Sequence, residues 1–340
     1  MFSSRVLRSS KGWNERATQF LMESSWGRRV RIGLLAGTVV AYPTFSLITN
    51  GALVKQTFPR RFSIEEGPLP PHLDEIVKKE YTHFLERNAR LAKDAVVRVH
   101  LGKSPEELDT VAAGSLGVRS GLELALPFNA RFKNDDEALQ YLKSHFPTHF
   151  PFLGEKIPVD WDSQIGRELA STFVFSTQAL KFITQRDLHA YDGWAALAQR
   201  SISWVTWTTF ASIFTYWLHM SARIFGTSAI SYIGIYAVFM TAAWYANKQW
   251  HYLYRYMTDV HADATSARTS FDHCEGGKEL YWKLLKRNRI IRDLYPRLYT
   301  EITLPGDIRG IPTSLVMRYD HLKDVNAEDD ELKEVVEGDD

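Results

Sequence analysis

The chain has 340 residues, a formal net charge of +1 and 45% hydrophobic residues, with a mean hydropathy of −0.25. So small a charge leaves no basic excess to neutralise phosphates and argues against a nucleic-acid binder. One cysteine, Cys274, excludes an internal disulfide framework and any Cys-rich zinc, copper or iron–sulfur site built by one chain; it reads as a small residue beside a turn.

Residues 1–31 carry seven cations against Glu15 and Glu23, with serines at 3, 4, 9 and 10. An Arg- and Ser-rich, acid-poor start reads as a mitochondrial targeting segment or matrix arm. The alternative is a basic flank that holds the first span's N-terminus inside. Three uncharged stretches of similar length lie further along, at 32–54, 201–222 and 224–247, each bracketed by cations. A helix of that length spans roughly 33 Å, the thickness of a bilayer's hydrocarbon core. The expected fold is an α+β membrane protein with three transmembrane helices and a mainly helical soluble domain.

In the first span Gly33, Gly37 and Ala41 fall on one helix face, a spacing that lets another helix approach closely. Pro43 is expected to kink this helix without ending it. Residues 55–200 form an α+β region. Leu69-Pro70-Pro71 closes a linker, 72–93 has helical periodicity, 95–101 alternates as a strand does, and 122–128 is a second extended segment. Residues 135–144 read as a short helix, followed by a Pro- and His-rich loop up to Pro158; 164–199 is mostly helical. The hairpin 201–247 turns around Arg223 and Gly226, with tryptophans (204, 207, 217, 244, 250) near its ends as interfacial anchors. Thr208, Ala211, Ser212 and Thr215 recur at helical spacing, either as a packing stripe or as polar residues facing lipid. Residues 248–325 continue as a helical region, 248–271 as one helix and 278–293 as another, with Gly276-Gly277 punctuating between them. The acid-rich end, 326–340, is expected to be disordered. Three spans place the two termini on opposite sides. The basic arm sets the N-terminus in the matrix, although Arg200, Lys248 and Arg255 outnumber Arg223 around the hairpin.

Two short helical segments could carry chemistry. Arg186-Asp187-Leu188-His189-Ala190 stands where a membrane zinc metallopeptidase of the prenyl-protease or stress-protease type has H-E-x-x-H. Asp259-Val260-His261-Ala262-Asp263 stands where such enzymes have E-x-x-x-D. Zinc hydrolysis needs two imidazoles one turn apart, a third ligand and a carboxylate base. Arg186 and Ala190 occupy the imidazole positions, and a guanidinium there repels a dication. Sliding by one offers Gln185 and His189, a single imidazole, with Asp259 or His261 as the remaining donors. An active protease, a scaffold that has lost its metal and a coincidence of spacing stay open as readings. The preferred role for these residues is an ion-pair network, Arg186 and Asp187 facing Asp259 or Asp263. No catalytic, cofactor-binding or metal-ligating residue is assigned. His145, His149, His219, His251 and His273 read as surface or hydrogen-bonded histidines.

Several stretches carry a family resemblance: Leu69-Pro70-Pro71-His72-Leu73, Pro158-Val159-Asp160-Trp161 with Ser163 and Gly166, the run Ala179, Lys181, Phe182, Arg186, and Cys274-Glu275-Gly276-Gly277 followed by Glu279-Leu280-Tyr281-Trp282-Lys283-Leu284-Leu285. In this order, over about 30–300, the chain resembles the transmembrane protein 177 family. The resemblance implies a multi-pass protein of the mitochondrial inner membrane with its bulk and C-terminus in the intermembrane space. It also implies a non-enzymatic role in early maturation of cytochrome c oxidase subunit 2, by stabilising the two-span inner-membrane assembly factor that chaperones it, together with copper-delivery proteins. It brings no catalytic residues and no cofactor.

Overall fold

A computed structural model of the chain describes residues 12–107, 109–222 and 228–323. The first third of the basic arm (1–11), the turn with Arg223 and Gly226, and the acid-rich end lie outside the described residues. In chain order the helices are α1 (Trp13–Thr18), α2 (Ser25–Leu47), α3 (Val54–Arg61), α4 (Pro71–Arg87), α5 (Asp135–His145), α6 (Gln164–Ser171), α7 (Thr177–Ala190), α8 (Gly193–Tyr216), α9 (Ala229–Ala267), α10 (Phe271–Leu294) and α11 (Leu315–Lys323). The strands are β1 (Val97–Leu101), β2 (Val111–Gly114), β3 (Leu122–Leu126), β4 (His149–Phe152) and β5 (Glu155–Pro158). The chain divides into two compact units, one of Met1–Leu47 with Ala198–His251, the other of Ile48–Leu197 with Tyr252–Asp340.

The first unit is helical. α2, continued by a π-helical turn to Ala52, and α9 are each long and apolar enough to cross a bilayer. α8 has the length, but its Thr, Ser and Trp side chains leave it outside that class. Pro43 lies within α2, which runs on to Leu47. Thr208, Ala211, Ser212 and Thr215 are buried, so this face of α8 is a packing stripe. The Thr208 and Thr215 hydroxyls donate to the carbonyls of Trp204 and Ala211, each at 2.7 Å, which satisfies them inside their own helix. Trp204 Nε1 donates to the Thr38 carbonyl (3.0 Å) and Tyr236 OH to Thr38 Oγ1 (2.7 Å), tying α8 and α9 to α2. Large apolar side chains point outward, among them Ile32, Leu34, Val40 and Phe45 on α2 and Ile213 and Val238 on α8 and α9.

The second unit holds a three-stranded sheet of order β1-β3-β2, with β1 parallel and β2 antiparallel to β3. Every residue of β3 is buried, as its central place requires. Residues 149–158, expected as loop, instead form the hairpin β4–β5, turned at Leu153-Gly154 with both residues at positive φ. Its inward Phe150, Phe152 and Ile157 join Trp161 and Phe173 in one core cluster. A second cluster packs α4, α7, α10 and α11 through Leu73, Phe182, Tyr281 and Leu322.

The family-like stretches fall at close approaches. Ser163 caps α6 by accepting from the Gly166 amide at 3.0 Å, and a Cβ on Gly166 would sit 2.1 Å from the Asp160 carbonyl oxygen. Gly276 and Gly277 do not punctuate two helices. They lie inside α10, where a Cβ on Gly276 would stand 2.2 Å from the Gln178 carbonyl oxygen and one on Gly277 2.8 Å from the Phe182 ring. The glycines let α10 press against α7, and that packing outweighs their low helix propensity. Cys274 likewise is buried within α10, not beside a turn.

Candidate functional site

Ten residues down α7, Arg186 and Asp187 turn into the interior of the second unit, both below 5% exposed. Arg186 Nε donates to Asp187 Oδ1 (2.8 Å), and its Nη2 donates to Asp109 Oδ1 (2.7 Å) from the loop between β1 and β2. On α9, Asp259 accepts from Thr313 Oγ1 (2.9 Å) and pairs with Arg255 (3.3 Å), while Arg255 Nη1 donates to the Tyr191 hydroxyl (3.0 Å). Asp263, fully buried, receives both forks of Arg318 of α11 (2.6 and 2.7 Å) and the hydroxyl of Tyr281 of α10 (2.7 Å). The Arg318 guanidinium also lies 4.7 Å from the Tyr281 ring centroid.

The expected ion-pair network therefore exists, but with other pairings. Arg186 is taken by Asp109 and Asp187, and each aspartate of α9 has its own arginine. The reason is electrostatic: a buried carboxylate needs a counter-charge within bonding distance, and Arg255 and Arg318 are closer to α9's carboxylates than is Arg186. Burial pushes the Asp187 carboxyl up to about 6, against the pull of Arg186. Asp109 is half-exposed, and although its partial desolvation works the same way, Arg186 and Arg318 overcome it and hold that carboxyl below its ordinary value. Burial alone accounts for the Arg287 guanidinium being lowered to about 10, with Asp109 opposing.

The metal-site residues do not converge. Gln185 donates to the carbonyl and carboxylate of Glu80 (2.8 and 2.9 Å), and the His189 ring meets Phe84 edge-on, so this register faces α4. Burial lowers His189 to about 4. His261 is exposed and Asp259 is already engaged. Among the described residues no three His, Cys, Asp or Glu side chains are placed to hold a metal ion. Of the other histidines, His145 and His149 are exposed, while His219 is buried and bonded to Ser228 and Ser231. His251 bonds Arg200, and His273 is buried against Glu80 at 3.0 Å.

Sequence reasoning missed Asp109, Arg287, Thr313 and Arg318. Nothing local marks them: Asp109 meets Arg186 across 77 residues and Arg318 meets Asp263 across 55. Together with Arg255 and Asp259 they line a cavity of about 200 Å³ whose remaining lining is apolar.

A family model described as Transmembrane protein 177 matches residues 22–340, a wider stretch than the motifs alone cover. "Uncharacterized protein R144.12" of Caenorhabditis elegans is 60% identical over 329 residues, 96% of this chain and 98% of that protein. "Transmembrane protein 177" of Danio rerio is 25% identical over 202 residues, 58% of this chain and 61% of that one. No solved structure matches. With capped turns and glycine contacts at the positions that carry the likeness, and a family match over nearly its whole length, the chain belongs to the transmembrane protein 177 family.

Proposed function

We propose that this protein is a non-enzymatic assembly factor of the mitochondrial inner membrane, which binds and stabilises the two-span factor that chaperones newly inserted cytochrome c oxidase subunit 2. Three spans, α8 included, cross the membrane, with the N-terminus in the matrix and the soluble regions in the intermembrane space. The observation that carries the reading is the bare face of α2. Gly33, Gly37 and Ala41 are exposed, and outside α2 itself no atom of the described residues lies within 4 Å of where a Cβ on either glycine would sit. In lipid, helices associate through such small-residue faces, because close backbone approach supplies the packing that the hydrophobic effect cannot. Family membership supports the choice of partner. The engaged carboxylates at Asp259 and Asp263 support binding over hydrolysis.

The test is affinity capture from mildly solubilised mitochondria. The wild-type chain should bring down the two-span factor and new subunit 2, and Gly33→Leu with Gly37→Leu should lose both while the protein itself accumulates normally. One stoichiometric zinc with chelator-sensitive peptide cleavage would overturn the reading in favour of a metallopeptidase. Mitochondrial import unchanged by removal of 1–31 would overturn the role of the basic arm.

A further inference from the structure

The cavity of about 200 Å³ in the second unit is lined by two kinds of residue. One is charged: Arg255, Arg287 and Arg318 with Asp109 and Asp259. The other is apolar, with Ile308, Ile311 and Leu315 among its residues. The arginines are not equivalent. Arg255 is paired with Asp259 and Arg318 is forked onto Asp263. Arg287 is 3% exposed, and its Nε and Nη2 reach only the side-chain oxygen of its neighbour Asn288, each at 3.3 Å. Its plane is held near the rings of Phe152 and Phe173, at 5.7 and 5.8 Å. No carboxylate of the described residues pairs with it. A buried guanidinium without a counter-ion is costly, and here it borders a space that an anion could enter past half-exposed Asp109 and Ile311.

We propose that this cavity binds a small monoanionic organic acid, its carboxylate on Arg287 and its short apolar body against Ile308, Ile311 and Leu315. Arg287 is the lining cation without a carboxylate partner among the described residues, so one negative charge balances it and a dianion such as phosphate would leave a charge unmatched. The planar fork of arginine matches a carboxylate. The volume holds roughly six water-sized groups, which bounds the acid to a few carbons.

The experiment uses the full chain purified in a neutral detergent, with 3-methylbutanoate as probe and 3-methylbutanamide as its uncharged counterpart, read by calorimetry and thermal shift. Saturable one-to-one binding of the acid is expected, with the amide about tenfold weaker or worse, because it lacks the charge that Arg287 would neutralise. Arg287→Met keeps the packing against both phenyl rings and should abolish binding of the acid while leaving the melting temperature unchanged or higher. Ile311→Trp, which fills the cavity from its rim, should weaken acid and amide alike. The proposal fails if the acid does not bind at millimolar concentration, if acid and amide bind equally, or if Arg287→Met binds as the wild type does. It also fails if inorganic phosphate displaces the acid, or if anionic phospholipid vesicles do so where neutral ones do not; the first would identify a phosphate site and the second a lipid headgroup site.

Discussion

The two units treat their polar groups in opposite ways. In the first, Ile32, Leu34, Val40, Phe45 and Val238 point outward, and the buried positions of α8 are small residues or hydroxyls, of which Thr208 and Thr215 close onto their own helix while Ser201, Ser203 and Ser212 make no hydrogen bond among the described residues. In the second, phenylalanines and leucines fill the interior, and charge enters it mostly as pairs such as Asp263 with Arg318, with Arg287 as the exception. Lipid gives a helix nothing for hiding Leu or Phe and makes each unmet polar atom costly, whereas burying Leu or Phe away from water is favourable and a buried charge is costly without its counter-charge.

The largest expected effect breaks that second rule. Arg318→Met leaves the Asp263 carboxylate buried with only the Tyr281 hydroxyl, and should cost about 3–5 kcal/mol in chemical unfolding of the solubilised chain. Replacing both members, Arg318→Met with Asp263→Leu, should recover most of that loss; a double variant as unstable as the single one would refute the pairing.

Next come the glycines, where one substitution should give opposite results in the two units. Gly276→Ala puts a methyl group into the Gln178 backbone, so α7 and α10 must part, at about 1–3 kcal/mol. Gly37→Ala meets no atom of the described residues outside α2 within 4 Å, and its unfolding midpoint should not fall. Equal destabilisation by both would erase the distinction between an internal and an open face.

A smaller effect is tied to pH. His189 has its pKa lowered from 6.5 to about 4, so between those values the unfolded chain takes up a proton that the folded chain refuses. Its contribution to stability is therefore full above pH 6.5 and lost as the pH falls toward 4. Asp187, raised to about 6, acts in the other direction, binding its proton in the folded state and adding stability as the pH falls from about 6 toward 3.8. His189→Gln should flatten the part of the profile between pH 6.5 and 5; an unchanged difference between denaturation midpoints at pH 7 and pH 5 would exclude this role.

The smallest effect belongs to the exposed pair Asp74–Lys78 on α4, with side chains 41% and 72% accessible. Lys78→Ala should change stability by no more than about 0.5 kcal/mol, a value that salt abolishes.

What the sequence made legible was what it repeats locally. Strand β1 and the short helix α5 were readable from alternation and from the acidic start at Asp135 and Asp136, and the apolar helices α2 and α9 from uninterrupted stretches. The hairpin β4–β5 escaped because Pro151 and Pro158 sit inside it; an isolated two-stranded ribbon tolerates proline where a central strand would not. Gly276-Gly277 misled because a glycine pair signals a break by local propensity, and its reason here, Gln178 on another helix, is invisible along the chain. The charged cluster was half legible. Arg186, Asp187, Asp259 and Asp263 stood out by spacing, yet their partners on the β1–β2 loop and α11 are chosen by the fold.

The only sulfhydryl of the molecule has a practical consequence. Cys274 is 3% exposed, lies 3.8 Å from the Leu322 carbonyl oxygen, and has its ionisation suppressed by its enclosure. Alkylating reagents should pass it by in the native state. Any cysteine engineered near either end of the apolar helices then becomes a background-free reporter. Labelling with membrane-impermeant maleimides, in sealed and in permeabilised membranes, would map sidedness without a cysteine-less parent.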